Sequence, residues 1–355
     1  MEDTAHVSWF LAANTANGFY SLYDELEQPG AASKIWYIKG GPGNGKSTFM
    51  RRVAGAAEGL GCHVEYVFCS GDPLSLDGIL IRETDTIYVD ATAPHVQEPS
   101  LPGVSGRYLD LSQFYKKTGA LNSREILTLR DAYREQYKRA YELLAAAGKA
   151  DPSSSYTPEE HDSLSSAGHE TALGLLPAGG GCRTLRRFIS ANSCQGFISL
   201  TQTACAFGKI YLIHGDKADA WLAGVLDACA ERSQLHILCP DPLLPEKADG
   251  VIVPEAGVSF LTAHKGIRYP AKNAVHIRIE TAASEIDQEY KHEKSLCSAL
   301  LRQAYTHLKK AKELHDGLEA CYRPALDFKA LDRFTTAHIR DQFGSGAGNK
   351  PIQRQ

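Results

Sequence analysis

Residues 40 to 48 read Gly40-Gly41-Pro42-Gly43-Asn44-Gly45-Lys46-Ser47-Thr48, a complete G-x-x-x-x-G-K-[ST] pattern. Its residue types suit one kind of chemistry. A polyphosphate must be surrounded at close range by backbone N–H groups, and only residues poor in side chain let the backbone curl that tightly. Gly40, Gly43 and Gly45 meet this need, with Gly41, Pro42 and Asn44 completing the turn. Lys46 would reach the terminal phosphate oxygens, and the Ser47 hydroxyl suits a magnesium ligand. Thr48 adds a further phosphate contact. A carboxylate at the end of a neighbouring strand should share that ion, and Asp90 closes the strand-like run Thr86-Ile87-Tyr88-Val89-Asp90; it is also what a turn after a strand would carry. Residue 91 is alanine, so a carboxylate that polarises attacking water is not beside Asp90. Asp77, Asp72 and His95 are the candidates for that role, with Asp77 first, although a structural turn explains each of them as well.

The elements that position these residues follow from pattern. Ile35-Trp36-Tyr37-Ile38 is a strand leading into the loop, and the apolar spacing of Phe49–Ala57 predicts a helix starting near Lys46, whose N-terminal amides and dipole favour an anion. Arg82, Arg107 and Arg124, or Arg183, Arg186 and Arg187, could neutralise charge during phosphoryl transfer. Tyr133, Tyr137 and Tyr141 share a helical face that would either stack on a base or pack against a sheet.

The chain also resembles itself. Phe10-Leu-Ala-Ala-Asn14-Thr-Ala-Asn-Gly18-Phe19-Tyr-Ser21-Leu22 recurs as Phe188-Ile-Ser-Ala-Asn192-Ser-Cys-Gln-Gly196-Phe197-Ile-Ser199-Leu200. After a short gap, Ile35–Gly40 matches Ile210–Gly215, Asp77-Gly78 matches Asp249-Gly250, and Thr92-Ala93-Pro94-His95 is echoed by Thr262-Ala263-His264. Long amphipathic helices follow each copy, over Arg124–Ala147 and Ile286–Glu319. The expected architecture is α/β: two tandem three-layer domains with mainly parallel sheets. Residues 1–150 form the first domain, 151–183 a flexible Ser/Pro/Gly-rich connection with a short helix near Pro158–Ser165, 184–343 the second domain, and 344–355 a disordered tail. Ala220 and Trp221 stand where Gly45 and Lys46 stand in the first copy, so the second phosphate loop is dismantled and no nucleotide is expected there.

In 355 residues, 43% apolar content suffices for two cores, and a net charge of −4 without a basic stripe argues against nucleic acid as a partner. Apolar runs of strand length and the acidic start Met1-Glu2-Asp3 lead to the expectation of a soluble, cytoplasmic protein without a membrane partner. The nine cysteines suggest reduced thiols, with neither a disulfide framework nor a zinc set.

With these motifs the chain resembles a bacterial family of tandem P-loop ATPase-like proteins of poorly defined function. The resemblance rests on Gly18–Leu22, Lys39–Thr48, Cys69–Gly78 and Asp90–His95 and spans nearly the whole chain. It implies a P-loop NTPase-like fold in each half, ATP and Mg²⁺ as cofactors, and ATPase activity, without naming a substrate or protein partner. The departure is Trp221 in the second loop, which puts two-site turnover in doubt. An N-K-x-D guanine-reading pattern is absent, which favours ATP over GTP. Three functions follow as expectations: Mg-dependent ATP hydrolysis in the first domain coupled to a structural or regulatory second copy; a nucleotide or small-molecule kinase; and a non-catalytic ATP-dependent regulator.

Overall fold

The computed structural model describes residues 7–27, 34–92, 97–99, 101, 103–104, 106–116, 121–154, 156–269, 274–279 and 288–344. The tail beyond Gly344 and His95 lie outside them. In chain order the elements are β1 (Ser8–Trp9), β2 (Ala12–Thr15), β3 (Gly18–Ser21), β4 (Lys34–Lys39), α1 (Lys46–Glu58), β5 (Val64–Phe68), β6 (Leu76–Ile81), β7 (Thr86–Asp90), β8 (Arg107–Asp110), α2 (Ser123–Lys149) and α3 (Pro158–Leu173). There follow β9 (Arg183–Arg186), β10 (Ser190–Ser193), β11 (Gly196–Ser199), α4 (Thr201–Cys205), β12 (Lys209–His214), α5 (Ala218–Glu231), β13 (Leu235–Pro240), β14 (Ala248–Val253), β15 (Val258–Thr262), β16 (Val275–Arg278), α6 (Gln288–Tyr322) and α7 (Phe328–Phe343). The chain is mixed α/β, with two six-stranded sheets. No helix among the described residues is long and apolar enough to cross a membrane.

Two compact units form, and they are not the sequence halves. One, the loop unit, comprises Tyr23–Lys138 with His307–Gln355; the other, the hairpin unit, comprises Met1–Leu22 with Arg139–Thr306. The boundary between these units falls inside α2 and α6. The cause lies in the repeated N-terminal signature. The β2–β3 hairpin of the first copy sits with β10–β11 of the second, and their backbones exchange bonds in both directions: Phe10 N–H to Phe188 C=O at 2.9 Å and Phe188 N–H to Phe10 C=O at 3.0 Å. Asn14 Nδ2 donates to the Asn192 carbonyl at 2.8 Å, and Asn192 Nδ2 returns the bond to the Asn14 carbonyl at 3.0 Å. Tyr141 and Tyr305 each donate a hydroxyl, at 2.9 Å, to the Oδ1 of Asn14 and Asn192 respectively. Both asparagines are buried. Duplication thus supplied both halves of a self-complementary contact, which buried amides require because an unpaired one would cost roughly 1–3 kcal/mol.

In the loop unit the strands run in the order β5-β6-β7-β4-β8. β4 is parallel to β7 and to β8, whereas β6 is antiparallel to both β5 and β7. The amphipathic spacing of α1 buries Phe49, Met50, Val53, Ala54 and Ala57 against Ile79, Tyr88 and the α7 residues Leu331 and Ile339. His338 of α7 enters this core, its Nε2 2.8 Å from the Tyr88 hydroxyl and its ring edge-on to Trp36. Burial pushes its imidazole down to about 4. A histidine that charges more readily unfolded than folded stabilises the fold above its unfolded value near 6.5, and that contribution drains as pH falls from there through about 4. We expect the urea midpoint of unfolding to drop over this window by on the order of 2 kcal/mol in free energy, and His338→Leu to flatten the drop; an identical acid limb in that variant would refute the assignment.

The hairpin unit repeats the order as β16-β12-β15-β14-β13-β9, with β14 antiparallel to its neighbours. Its sheet is covered on one face by α5, with Trp221, Leu222 and Val225, and on the other by residues that include Trp9, Ile189 and Ala204 of α4. The segment expected to be a flexible connection carries α3. A Thr157–Glu160 capping box and Pro158 at the first turn start this helix, and its close packing on α5 makes it part of the core. The expected short helix at Pro158–Ser165 is its first half.

Candidate functional site

The register of β4 and β7 places Asp90 opposite Ile38, two residues before Gly40, so the glycine loop and the carboxylate emerge side by side at the C-terminal ends of parallel strands. Such a crevice is where α/β sheets bind ligands. The loop then curls through Gly43 at φ 67° and Gly45 at φ 80°, values that side-chain-bearing residues avoid, and Gly45 caps α1. Helix α1 begins at Lys46, as its sequence predicts. The outer side of the loop is closely covered. A Cβ on Gly41 would lie 2.5 Å from the Tyr115 hydroxyl, one on Gly43 would lie 3.2 Å from Glu319 Cβ, and one on Gly45 would lie 3.0 Å from Leu331.

The Lys46 amine donates to the carbonyls of Gly40 at 2.9 Å and Gly41 at 3.0 Å, and stands 3.6 Å from Asp90 Oδ2. Asp90 Oδ1 accepts from the Thr92 N–H at 2.9 Å and from the Thr92 hydroxyl. Burial raises the Asp90 carboxyl above the usual range; Lys46 pulls it back and the charge of Asp77 adds to the rise. Ser47 Oγ accepts the N–H of Leu76 at 3.0 Å, which ties the first turn of α1 to the start of β6. Pro42 lies in the turn, and Thr48 is exposed on α1. Asn44 is buried, and its side-chain amide has no hydrogen-bond partner among the described residues.

Asp77 owes its place to a β-bulge. Val67 pairs with Gly78 and Phe68 with Leu76, so Asp77 is the extra residue of β6. A bulge re-aims the side chain it carries. Here it brings the carboxylate close to the Tyr23 hydroxyl and the Cys69 thiol, whose pKa values its charge raises. Burial first, and then the Asp77 charge, holds both of those groups well above their ordinary pKa, so both stay protonated. Gly78 is needed beside the bulge because a Cβ there would approach the Tyr88 carbonyl to 3.0 Å. The second copy has the same bulge at Asp249, between the pairs Cys239–Gly250 and Pro240–Ala248. There Ser190 Oγ donates at 2.5 Å and His264 Nε2 lies 2.6 Å away. The duplicated Asp-Gly is thus a feature of the fold, and only the partners of the carboxylate differ.

Tyr133 and Tyr137 of α2 also face this region. Their rings lie 5.0 Å apart, Tyr133 is 5.6 Å from His315 of α6, and the Tyr137 hydroxyl would meet a Cβ on Gly71 at 2.6 Å. Burial above all, with Cys69 and Asp77 nearby, pushes the Tyr133 hydroxyl up to about 12. Tyr141 departs from the stripe to bind Asn14. His315 and Glu319, with Nδ1 and Oε1 3.7 Å apart, were missed in the sequence. Their i, i+4 spacing gives no sign of a loop more than 260 residues earlier. Asp72 is paired with Lys312 at 3.3 Å. The described contacts of the arginines lie elsewhere: Arg82 with Glu65, Arg107 over the Trp36 ring, Arg186 with Tyr20, and Arg187 with the Arg186 carbonyl.

In the hairpin unit the counterpart loop takes another form. Without glycines at the positions of Gly43 and Gly45, Ala218 and Asp219 join the helix, and α5 starts three residues after Gly215, where α1 starts six after Gly40. Trp221 is buried against Phe260, and Lys217 is buried with its amine 2.9 Å from Glu160 of α3. Asp216 is held by Tyr290 and Lys294. Among the described residues no cluster of three or more His, Cys, Asp or Glu side chains could hold a metal alone. Comparison with known family models, with curated proteins and with solved structures finds no match to this chain.

Proposed function

We propose that the loop unit is a P-loop NTPase-like domain that binds Mg-ATP at Gly40–Thr48 and hydrolyses it, with the hairpin unit as a structural or regulatory copy. The observation that carries this reading is the position of the Lys46 amine, held between two loop carbonyls and Asp90 at the C-terminal ends of β4 and β7. Those are weak partners for a partly buried ammonium compared with a polyphosphate, whose binding the N-terminal amides of α1 would share. The unpartnered amide of Asn44 offers a further donor within the same turn.

Ser47 and Asp90 fit a magnesium ion, which would be completed by phosphate oxygens and water and would neutralise charge on the transferred group. Lys46 would hold the terminal phosphate and stabilise the negative charge that grows on it. Asp77, beside Tyr23 and Cys69, would orient a water or acceptor hydroxyl. Asp90→Asn keeps the shape and removes the charge. We expect the magnesium concentration for half-maximal activity to rise about 10- to 100-fold while saturating activity falls less. An unchanged magnesium dependence would remove Asp90 from the site.

One observation favours a second reading, transfer to a small acceptor. Ala91 follows Asp90, and its N–H is occupied by the Ile38 carbonyl, so no carboxylate polarises water at that position. ADP and phosphate release from Mg-ATP without an acceptor separates the readings. Release that depends on Lys46 indicates a hydrolase, binding with release only on acceptor addition indicates a kinase, and binding without turnover under either condition indicates a regulator.

A further inference from the structure

We propose that His315 of α6 is the group that accepts the proton from the attacking water, a role that rests on the nucleotide reading above. In this step one O–H bond of the water breaks and its proton passes to a ring nitrogen of His315. The water oxygen bonds to the terminal phosphorus, the bond from that phosphorus to its bridging oxygen breaks, and the electron pair leaves on the bridging oxygen. The imidazolium then returns its proton to solvent, so the products are ADP, phosphate and one proton.

The geometry brings His315 to the loop by an indirect route. One turn further along α6, Glu319 sits against Gly43, where a Cβ would meet the Glu319 carbonyl at 3.3 Å. His315 Nδ1 faces Glu319 Oε1 at 3.7 Å, and its ring lies beside Tyr133 of α2 at 5.6 Å between centroids. The side chain is one-third exposed, which leaves a path for water and for proton release. Other groups in the cluster are engaged. Asp77 faces the Tyr23 hydroxyl and the Cys69 thiol, Asp90 accepts from Thr92 beside Lys46, and Asp72 is paired with Lys312.

The electrostatics suit a base. Burial lowers the His315 pKa most, and Lys312 on the same helix and Lys46 of α1 lower it further. Glu319 and Asp316 oppose them without reversing the shift, and Tyr133 of α2 is held protonated and contributes no charge. The ring is therefore neutral at pH 7 and able to take a proton.

The first measurement uses the whole protein without nucleotide: NMR titration of 13C-labelled histidine ring signals, with His315→Gln assigning the resonance. The His315 signal is expected to titrate below 6.5 in the wild type and at higher pH in Lys46→Ala, because a nearby positive charge has gone. The second measurement is turnover. His315→Gln should lower kcat for phosphate release about 100-fold, leave ATP affinity within about 3-fold, and erase the acid limb of the pH–rate profile. A His315 titration that Lys46→Ala does not move, or a His315→Gln enzyme with wild-type kcat and acid limb, overturns the proposal. Should His315→Gln fail to fold, agreement between the wild-type acid limb and the wild-type ring titration supports it and disagreement overturns it, with the resonance assigned from Tyr133→Phe perturbation. Phosphate release unaffected by Lys46→Ala would instead defeat the nucleotide reading itself.

Discussion

Lys46→Ala is expected to remove ATP-dependent phosphate release altogether within the limits of a standard assay, a loss of at least 10²–10³-fold. The magnitude follows from the absence of a substitute. No other cation appears among the described contacts of the Gly40 and Gly41 carbonyls and Asp90, and the described contacts of Arg82, Arg107 and Arg186 are with other groups. The variant should still fold, because Lys46 sits at the first position of α1 and the helix is anchored by Phe49, Met50 and Val53. Calorimetric titration with Mg-ATP alongside the turnover assay separates loss of binding from loss of chemistry. Wild-type binding and turnover in this variant would show that the glycine loop is not the nucleotide site.

Gly224→Ala is expected to destabilise the hairpin unit by about 3 kcal/mol or more and lower its thermal midpoint by roughly 5–10 °C. Two effects of opposite sign compete. Alanine improves helix propensity over glycine by about 1 kcal/mol, but its Cβ would stand 1.8 Å from the Ser165 carbonyl oxygen and 2.7 Å from the His169 nitrogen, both backbone atoms of α3. Backbone cannot rotate away as a side chain can, so α3 and α5 would have to separate. Gly168 faces Trp221 equally closely, with a built Cβ 2.0 Å from its carbonyl oxygen. Gly55→Ala in α1 serves as the opposite case: nothing lies within 4 Å of the added carbon, so only the propensity gain remains and stability should rise by about 0.5–1 kcal/mol. Calorimetry on both variants tests the argument; a Gly224→Ala protein as stable as the wild type would mean that the two helices are not packed at this distance.

Much of the local structure was legible because it is written in short-range chemistry. The strand Ile35–Ile38, the helix start at Lys46, the strand ending at Asp90 and the degeneracy of the second loop each depend on neighbours a few residues apart, where periodicity and glycine placement suffice. The internal repeat was also legible, and with it the likeness of the two sheets. Its consequence was not. A repeat announces that two segments share a shape, but whether each hairpin stays with its own copy depends on which partner satisfies Asn14 and Asn192, a comparison between contacts 178 residues apart. The same limit applied to the segment after residue 150, where the start of α3 was legible in Pro158–Ser165 but its second half and its packing on α5 were not.

The sequence by itself determined the phosphate-loop pattern, the duplicated α/β unit and the loss of a second loop, because a glycine torsion, a strand period or a missing lysine is a property of adjacent residues. The tertiary structure alone decided that a bulge turns Asp77 towards Tyr23 and Cys69, and that Glu319 of α6 lies against the glycine loop with His315 one turn before it. Those placements depend on strand register and helix packing, in which the energy of each residue is set by atoms far away in the chain, so no local pattern carries them.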